Sequence, residues 1–197
     1  MPNWVMNSVY ITGEPEKVLQ LETKLAAPYK DIDGGAVNFL NLIAPPDEKW
    51  DSYNCGNITF GSDKEEDPYN WYSWNINHWG TKWNACNAHT DKQIGNDGLL
   101  QLGLKFDTAW AAPEGIVNAL WTLCSADGLS LDWRWEEEQG FGEEWETVDN
   151  EFVLTHSWDI PSSHAEYVER GQDEFCPCQW ADSKFDDCPE VAESVST

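Results

Sequence analysis

Basic side chains are scarce in this sequence: 11 Lys and Arg stand against 36 Asp and Glu in 197 residues, a formal net charge of −25. Such a chain repels phosphate backbones and anionic lipid surfaces, which argues against direct nucleic-acid or membrane-surface binding and for a basic protein as partner. The shortage is uneven. Residues 1–106 carry 8 basic and 14 acidic side chains, whereas residues 107–197 carry 3 and 22. Long apolar runs are missing too, since none reaches ~18 residues, so no membrane-spanning helix is expected. The start, Met1-Pro2-Asn3-Trp4-Val5, lacks the basic and apolar stretches of a secretory signal, and a cytoplasmic protein is expected. In that compartment the six cysteines, Cys55, Cys86, Cys124, Cys176, Cys178 and Cys188, are expected as thiols or metal ligands rather than disulfides. There is no internal repeat.

Tryptophan is abundant, with 13 residues. An indole buries a large apolar area and brings an N–H that needs an acceptor, so these residues read either as core or, in part, as the lining of a groove. Ser8 to Gly13 alternates and reads as a strand. Glu14-Pro15-Glu16 opens a helix over about 14–27 whose Val18, Leu21 and Leu25 share one face. Phe39 to Ile43 reads as a second strand, stopped by Pro45-Pro46. Residues 47–98 read as a loop-rich insertion, and 99–106 as a strand. Pro113-Glu114 opens a helix to about 126 that buries Ile116, Leu120 and Leu123 and closes at Asp127-Gly128. Residues 129–136 and 144–154 read as strands flanking a Gly140-Phe141-Gly142 turn.

These elements predict an α+β fold: a ferredoxin-like split βαβ sandwich, with a mostly antiparallel sheet and two helices on one face. It should span residues 1–154 and be followed by an acidic, Cys-containing C-terminal extension, 155–197. Trp158, Tyr167, Phe175, Trp180 and Phe185 are too apolar for a solvated tail, so the extension should pack on the domain, with only the last residues disordered.

Four constellations bear on function. In Asn77-His78-Trp79-Gly80-Thr81-Lys82-Trp83 a planar ligand can be imagined stacked on indoles with Lys82 holding its charge, joined by Asp107 and Trp110; the alternative is a tight structural turn. His78, Lys82 and Asp107 form the best acid–base set available, but no nucleophile stands beside a base, so no catalytic residues are expected. Phe106 to Pro113 leads from strand to helix, where Asp107 or Thr108 can cap a turn. Cys176-Pro177-Cys178, with Cys188 after nine intervening residues, is not a standard zinc spacing. No cofactor is therefore implied, and Cys176, Cys178 and Cys188 stay as candidate zinc ligands needing a fourth donor, with His164 and Asp187 nearby. Finally Glu136, Glu137, Glu138, Glu143, Glu144 and Glu146, with Asp132, flank a strand and hairpin. A rigid carboxylate row presents negative charge as a nucleic-acid backbone does, whereas the plainer reading is a solvated face.

Met1-Pro2-Asn3-Trp4, Tyr10-Ile11-Thr12-Gly13, Asn77 to Trp83, Phe106 to Pro113 and the acidic aromatic strand Trp133 to Gly142 together resemble the YubB-like ferredoxin-like domain family of phage and plasmid proteins, over about residues 1–150. Val5 departs from it, since many members have Cys there. The resemblance implies a ferredoxin-like fold and a mobile-element origin, in an infected or plasmid-bearing bacterium. It supplies no catalytic residues. The combined expectation is a non-enzymatic, acidic interaction protein that inhibits a host nucleic-acid-binding defence protein as a nucleic-acid mimic. The rival expectation is a small-ligand or nucleotide-binding protein using the Trp79-Gly80-Thr81-Lys82-Trp83 segment.

Overall fold

The computed structural model of the protein describes residues 3–54, 68–171, 176 and 185. Strand β1 (Trp4–Gly13) starts the chain and alternates strictly, with Val5, Asn7, Val9 and Ile11 buried. Helix α1 (Pro15–Ala26) follows at once. Pro15 lies in its first turn, and Val18, Leu21 and Leu25 form the buried stripe expected from their spacing.

Phe39 to Ile43 is not a strand. Phe39–Asn41 is a 3-10 turn capped by Asn38, whose Oδ1 accepts from the Leu40 N–H at 3.2 Å. The adjacent residues Phe39 and Leu40 are both buried, which a strand with one buried face cannot achieve. The turn has a second function. Asn41 Nδ2 donates to the Leu25 and Ala27 carbonyls, satisfying acceptors left over at the end of α1.

Among its described residues, the expected loop insertion at 47–98 is largely regular structure. A 3-10 turn (Asp47–Lys49) leads into α2 (Trp50–Asn54), and α3 (Trp71–Trp79) and strand β2 (Cys86–Ile94) follow. Residues 55–67 of that stretch lie outside the described residues. Strand β2 has no apolar alternation because it sits at the sheet edge and is mostly exposed on both faces. Strand β3 (Leu100–Ala109) pairs with it, and α4 (Glu114–Asp127) buries Ile116, Val117, Leu120 and Cys124. Leu123, expected in the core, is only half-buried.

Strand β4 (Ser130–Glu137) matches expectation, but the last predicted strand is two. Strands β5 (Gly142–Val148) and β6 (Glu151–Trp158) form a hairpin about Asp149-Asn150, whose φ values of +51° and +63° suit a tight turn with both central residues left-handed. The expected domain boundary at 154 therefore falls inside β6. A short helix, α5 (His164–Glu169), comes next. It is tied to the sheet end by Arg170 Nη1, which donates to the Gly140 and Asp159 carbonyls.

The result is one antiparallel six-stranded sheet in the order β2-β3-β1-β4-β5-β6. Helices α1 and α4 share one core with Val9, Ile11, Leu102, Leu104, Leu131 and Trp133, all on the same side of the sheet. Among the described residues no helix is long and apolar enough to cross a membrane.

Candidate functional site

The opposite sheet face is where the acidic residues can act. Along β4 the side chains alternate: Leu131, Trp133, Trp135 and Glu137 point to the helix side and are buried, while Asp132, Arg134 and Glu136 point away. Because Arg134 pairs in register with Glu144, and Trp133 with Trp145, residues Glu144 and Glu146 of β5 join that second face. Across β1 the same face continues with Met6, Ser8 and Tyr10, opposite Glu136, Arg134 and Asp132. On β3 it continues with Asp107 and Lys105, opposite Met6 and Ser8.

Arg134 organises the centre of this face. Its Nη1 lies 2.6 Å from Glu144 Oε1 and its Nη2 3.1 Å from Glu136 Oε2. The guanidinium also sits 4.6 Å from the Trp158 ring centroid. Next to it, Arg134, Glu136, His156, Ser157, Trp158 and Arg170 line a cavity of about 540 Å³. Arg170 is balanced by Glu166, which also accepts from Ser162; those backbone and hydroxyl bonds, with Arg170, hold its carboxyl below the usual carboxylate range.

The seven carboxylates expected to act together do not all share this surface. Asp132, Glu136, Glu144 and Glu146 do. Glu137 is 3% exposed and accepts from the Gln139 N–H in the turn. Glu143 lies on the helix side, where its Oε2 accepts from the indole N–H of Trp145 at 2.8 Å and of Trp135 at 3.3 Å. Glu138 is held at the strand end by the Trp4 N–H. The period of two decides the matter: consecutive glutamates fall on opposite faces.

The Asn77 to Trp83 segment is divided in the same way. Asn70 caps α3, and Gly80 ends it with φ +85°. Trp79 is 1% exposed, donates its indole N–H to the Ile43 carbonyl at 2.9 Å and meets Phe39 edge to face. Thr81 is fully buried and donates to the Ala109 carbonyl. Both side chains are committed to internal hydrogen bonds, as a structural turn requires. Helix α3 crosses the start of α4 so closely that a Cβ on Gly115 would lie 1.9 Å from the His78 carbonyl oxygen. Asn77 and His78 are exposed; His78 stacks on Trp74 and its Nδ1 contacts the Trp74 carbonyl. Asp107 accepts from Asn87 on the far face of the sheet, so the acid–base set with His78 and Lys82 does not assemble. Lys82 is enclosed by aromatic rings, its Nζ 4.1 Å from the Trp110 centroid, 5.2 Å from Trp83 and 5.8 Å from Tyr72.

Thr108 holds the corner between β3 and α4: its hydroxyl donates to the Ala111 carbonyl three residues on, receives Asn7 Nδ2, and is linked to Trp133 through Asn7 Oδ1. One feature the sequence did not reveal is a cavity of about 310 Å³ bounded by Ile32, Leu40, Tyr53, Trp71, Trp79 and Trp83. Its walls come from four separate segments, so no local pattern marks it. The nearby amides are committed: Asn75 accepts from Tyr53 and donates to the Lys82 carbonyl, and Asn84 accepts from the Phe39 and Ala85 N–H groups.

Burial, then Asp127, pushes the Cys124 thiol up to about 12. Burial, then Asp107, also raises that of half-buried Cys86. Cys176 is fully buried, and His164 Nδ1 lies 3.3 Å from its Sγ. Cys178 and Cys188 lie outside the described residues, as do Phe175 and Trp180, two of the aromatic residues expected to pack the extension. Among the described residues no group of three or more His, Cys, Asp or Glu is placed to hold a metal ion.

No family model and no curated protein matches the chain. A solved structure, that of a protein api92 from Yersinia pseudotuberculosis carrying the family-model name DUF1281, is similar at a TM-score of 0.47 and 9% identity, over 82% of this chain and 99% of that one.

Proposed function

We propose that the chain is a non-enzymatic interaction protein whose open sheet face docks on the basic, nucleic-acid-binding surface of a host protein and inhibits it. The observation that carries the reading is the common plane of Asp132, Glu136, Glu144 and Glu146, with two of the four fixed by one arginine. Neighbouring positions on such a plane are about 5 Å apart between strands and about 7 Å apart along one, so the carboxylates form a rigid lattice. A formal charge of −25 behind it steers a basic partner and repels nucleic acid. Counter-defence in a phage- or plasmid-bearing bacterium, and membership of the YubB-like family, extend this proposal and rest on the sequence motifs. The finer fold assignment belongs here too. Strands in the order β2-β3-β1-β4, with α1 after β1 and α4 between β3 and β4, support a ferredoxin-like split βαβ core to which the β5–β6 hairpin is added.

The test begins with a partner captured from bacterial lysate and then purified. Its affinity for this protein should fall steeply between about 50 and 200 mM salt, as screening shortens the field to roughly 8 Å. Its own nucleic acid should displace it. The triple variant Asp132→Lys, Glu144→Lys, Glu146→Lys should lose inhibition, with far-UV circular dichroism checking that it is folded; of the three, Glu146 is exposed, and its change alone should cost under about 0.5 kcal/mol. A complex indifferent to salt and nucleic acid would refute the docking mode.

A second reading is favoured by the 310 Å³ cavity. Its indole and phenol walls suit a planar, largely apolar molecule better than a nucleotide, because the Lys82 ammonium is already held among aromatic rings. Under that reading Trp71→Ala abolishes ligand uptake and the triple reversal leaves function intact.

A further inference from the structure

We infer that Trp110 is a base surrogate, whose exposed indole enters the aromatic platform on which a single-strand-binding partner stacks a nucleobase. This rests on the docking reading above and narrows the partner it calls for. Trp110 is 45% exposed, and every other tryptophan among the described residues is at least half-buried. Its backbone lies at φ +75°, a left-handed conformation that glycine adopts freely and a bulky residue adopts at a cost. The surroundings hold it there. The Trp110 N–H donates to the Asn3 carbonyl at 2.8 Å, the Ala109 carbonyl accepts from the Thr81 hydroxyl at 2.9 Å, and the Thr108 hydroxyl reaches across to the Ala111 carbonyl. Strain over-determined in this way is concentrated where a residue serves a ligand. A corner that only had to turn would use glycine.

The indole is also preorganised. Lys82 Nζ stands over its ring, 4.1 Å from the centroid, and Tyr72 meets it edge to face with centroids 6.4 Å apart. A rigid aromatic side chain loses little freedom on docking, which is why tryptophan dominates binding hot spots. The aromatic belt continues from Trp110 through Trp83, which shares the Lys82 ammonium, to Trp4, 5.8 Å from Trp83. Two residues along β1 from Trp4 stands Met6, 49% exposed and opposite Asp107 and Glu136 on the open face. The belt therefore joins the carboxylate face at the start of β1. Proteins that grip single strands combine a basic groove with aromatic rings that stack bases, whereas a reader of duplex backbone meets no free base face. The carboxylates match the groove by charge, and a planar bicyclic indole with one N–H matches the platform. That pairing selects a single-strand binder over a duplex reader.

The experiment titrates the full chain against the purified partner of the docking test. Trp110→Gly should weaken binding at least about tenfold, the size of one lost base stack. The dependence of affinity on salt should stay as in wild type, because no charge is removed. Glycine suits the local φ, and urea unfolding verifies that the variant is folded. Trp110→Phe, which keeps a ring, should bind within about threefold of wild type. Thymidine monophosphate at millimolar concentration fills a base platform without supplying a row of phosphates. It should compete with the wild-type chain and leave the residual binding of Trp110→Gly unchanged, a difference that a purely structural role for Trp110 would not produce. A salt-sensitive complex that is indifferent to Trp110→Gly overturns this inference and leaves the docking reading standing, as does displacement by duplex DNA but not by oligothymidylate. A complex indifferent to salt removes both.

Discussion

Leu131, Trp133 and Trp135 and their immediate neighbours Asp132, Arg134 and Glu136 come from one strand, yet the two sets live in different solvents. On the helix side buried polar atoms are, with the exception of the Trp74 indole N–H, partnered among the described residues. Trp133 donates to Asn7, Asn7 to Thr108, and Thr108 to the Ala111 carbonyl, a relay buried as far as Thr108. On the open side partnership is optional. Arg134 draws Glu136 and Glu144 together, and Glu146 is left exposed. The difference teaches that acidity in this protein has two uses. Glu137 and Glu143 are structural acceptors, whereas Asp132, Glu136, Glu144 and Glu146 shape the surface a partner would meet.

Substitutions can sharpen or break that contrast. The largest effect is expected at Trp79, where alanine removes a fully buried indole and its bond to the Ile43 carbonyl. Unfolding in urea should show a loss of about 3–5 kcal/mol. A cost below about 1 kcal/mol would mean that the segment is not core and would reopen its role as a ligand platform.

A smaller effect comes from pH. The Cys124 thiol is raised from its ordinary value of 9.0 to about 12 in the folded protein, so the unfolded chain loses that proton first. Its contribution is intact below pH 9 and declines as pH rises from 9 toward 12, by up to a few kcal/mol. Buried Tyr53, raised mainly by desolvation, acts in the same direction at still higher pH. Denaturation curves across this range should be flatter for Cys124→Ala, and an unchanged slope would show that the buried thiol is not responsible.

The smallest effect on stability is expected on the open face. Arg134 has a half-exposed side chain, so its two ion pairs are screened, and Arg134→Ala should cost less than about 1 kcal/mol in the same assay. A loss of several kcal/mol would mean that the open face is as structural as the helix side, and the distinction between the two would collapse.

Local chemistry was legible wherever it alone decides the outcome. The apolar stripes of α1 and α4, Pro15 at one start and Gly128 at one end, and the alternation of β1, β3 and β4 were all readable, because a 3.6 or 2.0 period and a left-handed cap belong to a short window of sequence. The same windows misled at Phe39 to Ile43, where the first three of five mostly apolar residues form a 3-10 turn against the end of α1. They were silent on β2, a polar strand that pairs with one neighbour, β3, among the described residues. The carboxylate run was visible as charge, but a run has no face. Pairing β4 with β5 sends Glu136 and Glu144 to Arg134 and turns Glu137 and Glu143 inward. The sequence by itself determined that the chain would be acidic, rich in indoles, and of mixed α+β type. Only the tertiary structure decided which acids form a surface, which indoles are sealed in the core, and which histidine meets Cys176. Those outcomes depend on contacts between segments up to 134 residues apart, such as Trp4 with Glu138, and no local period encodes them.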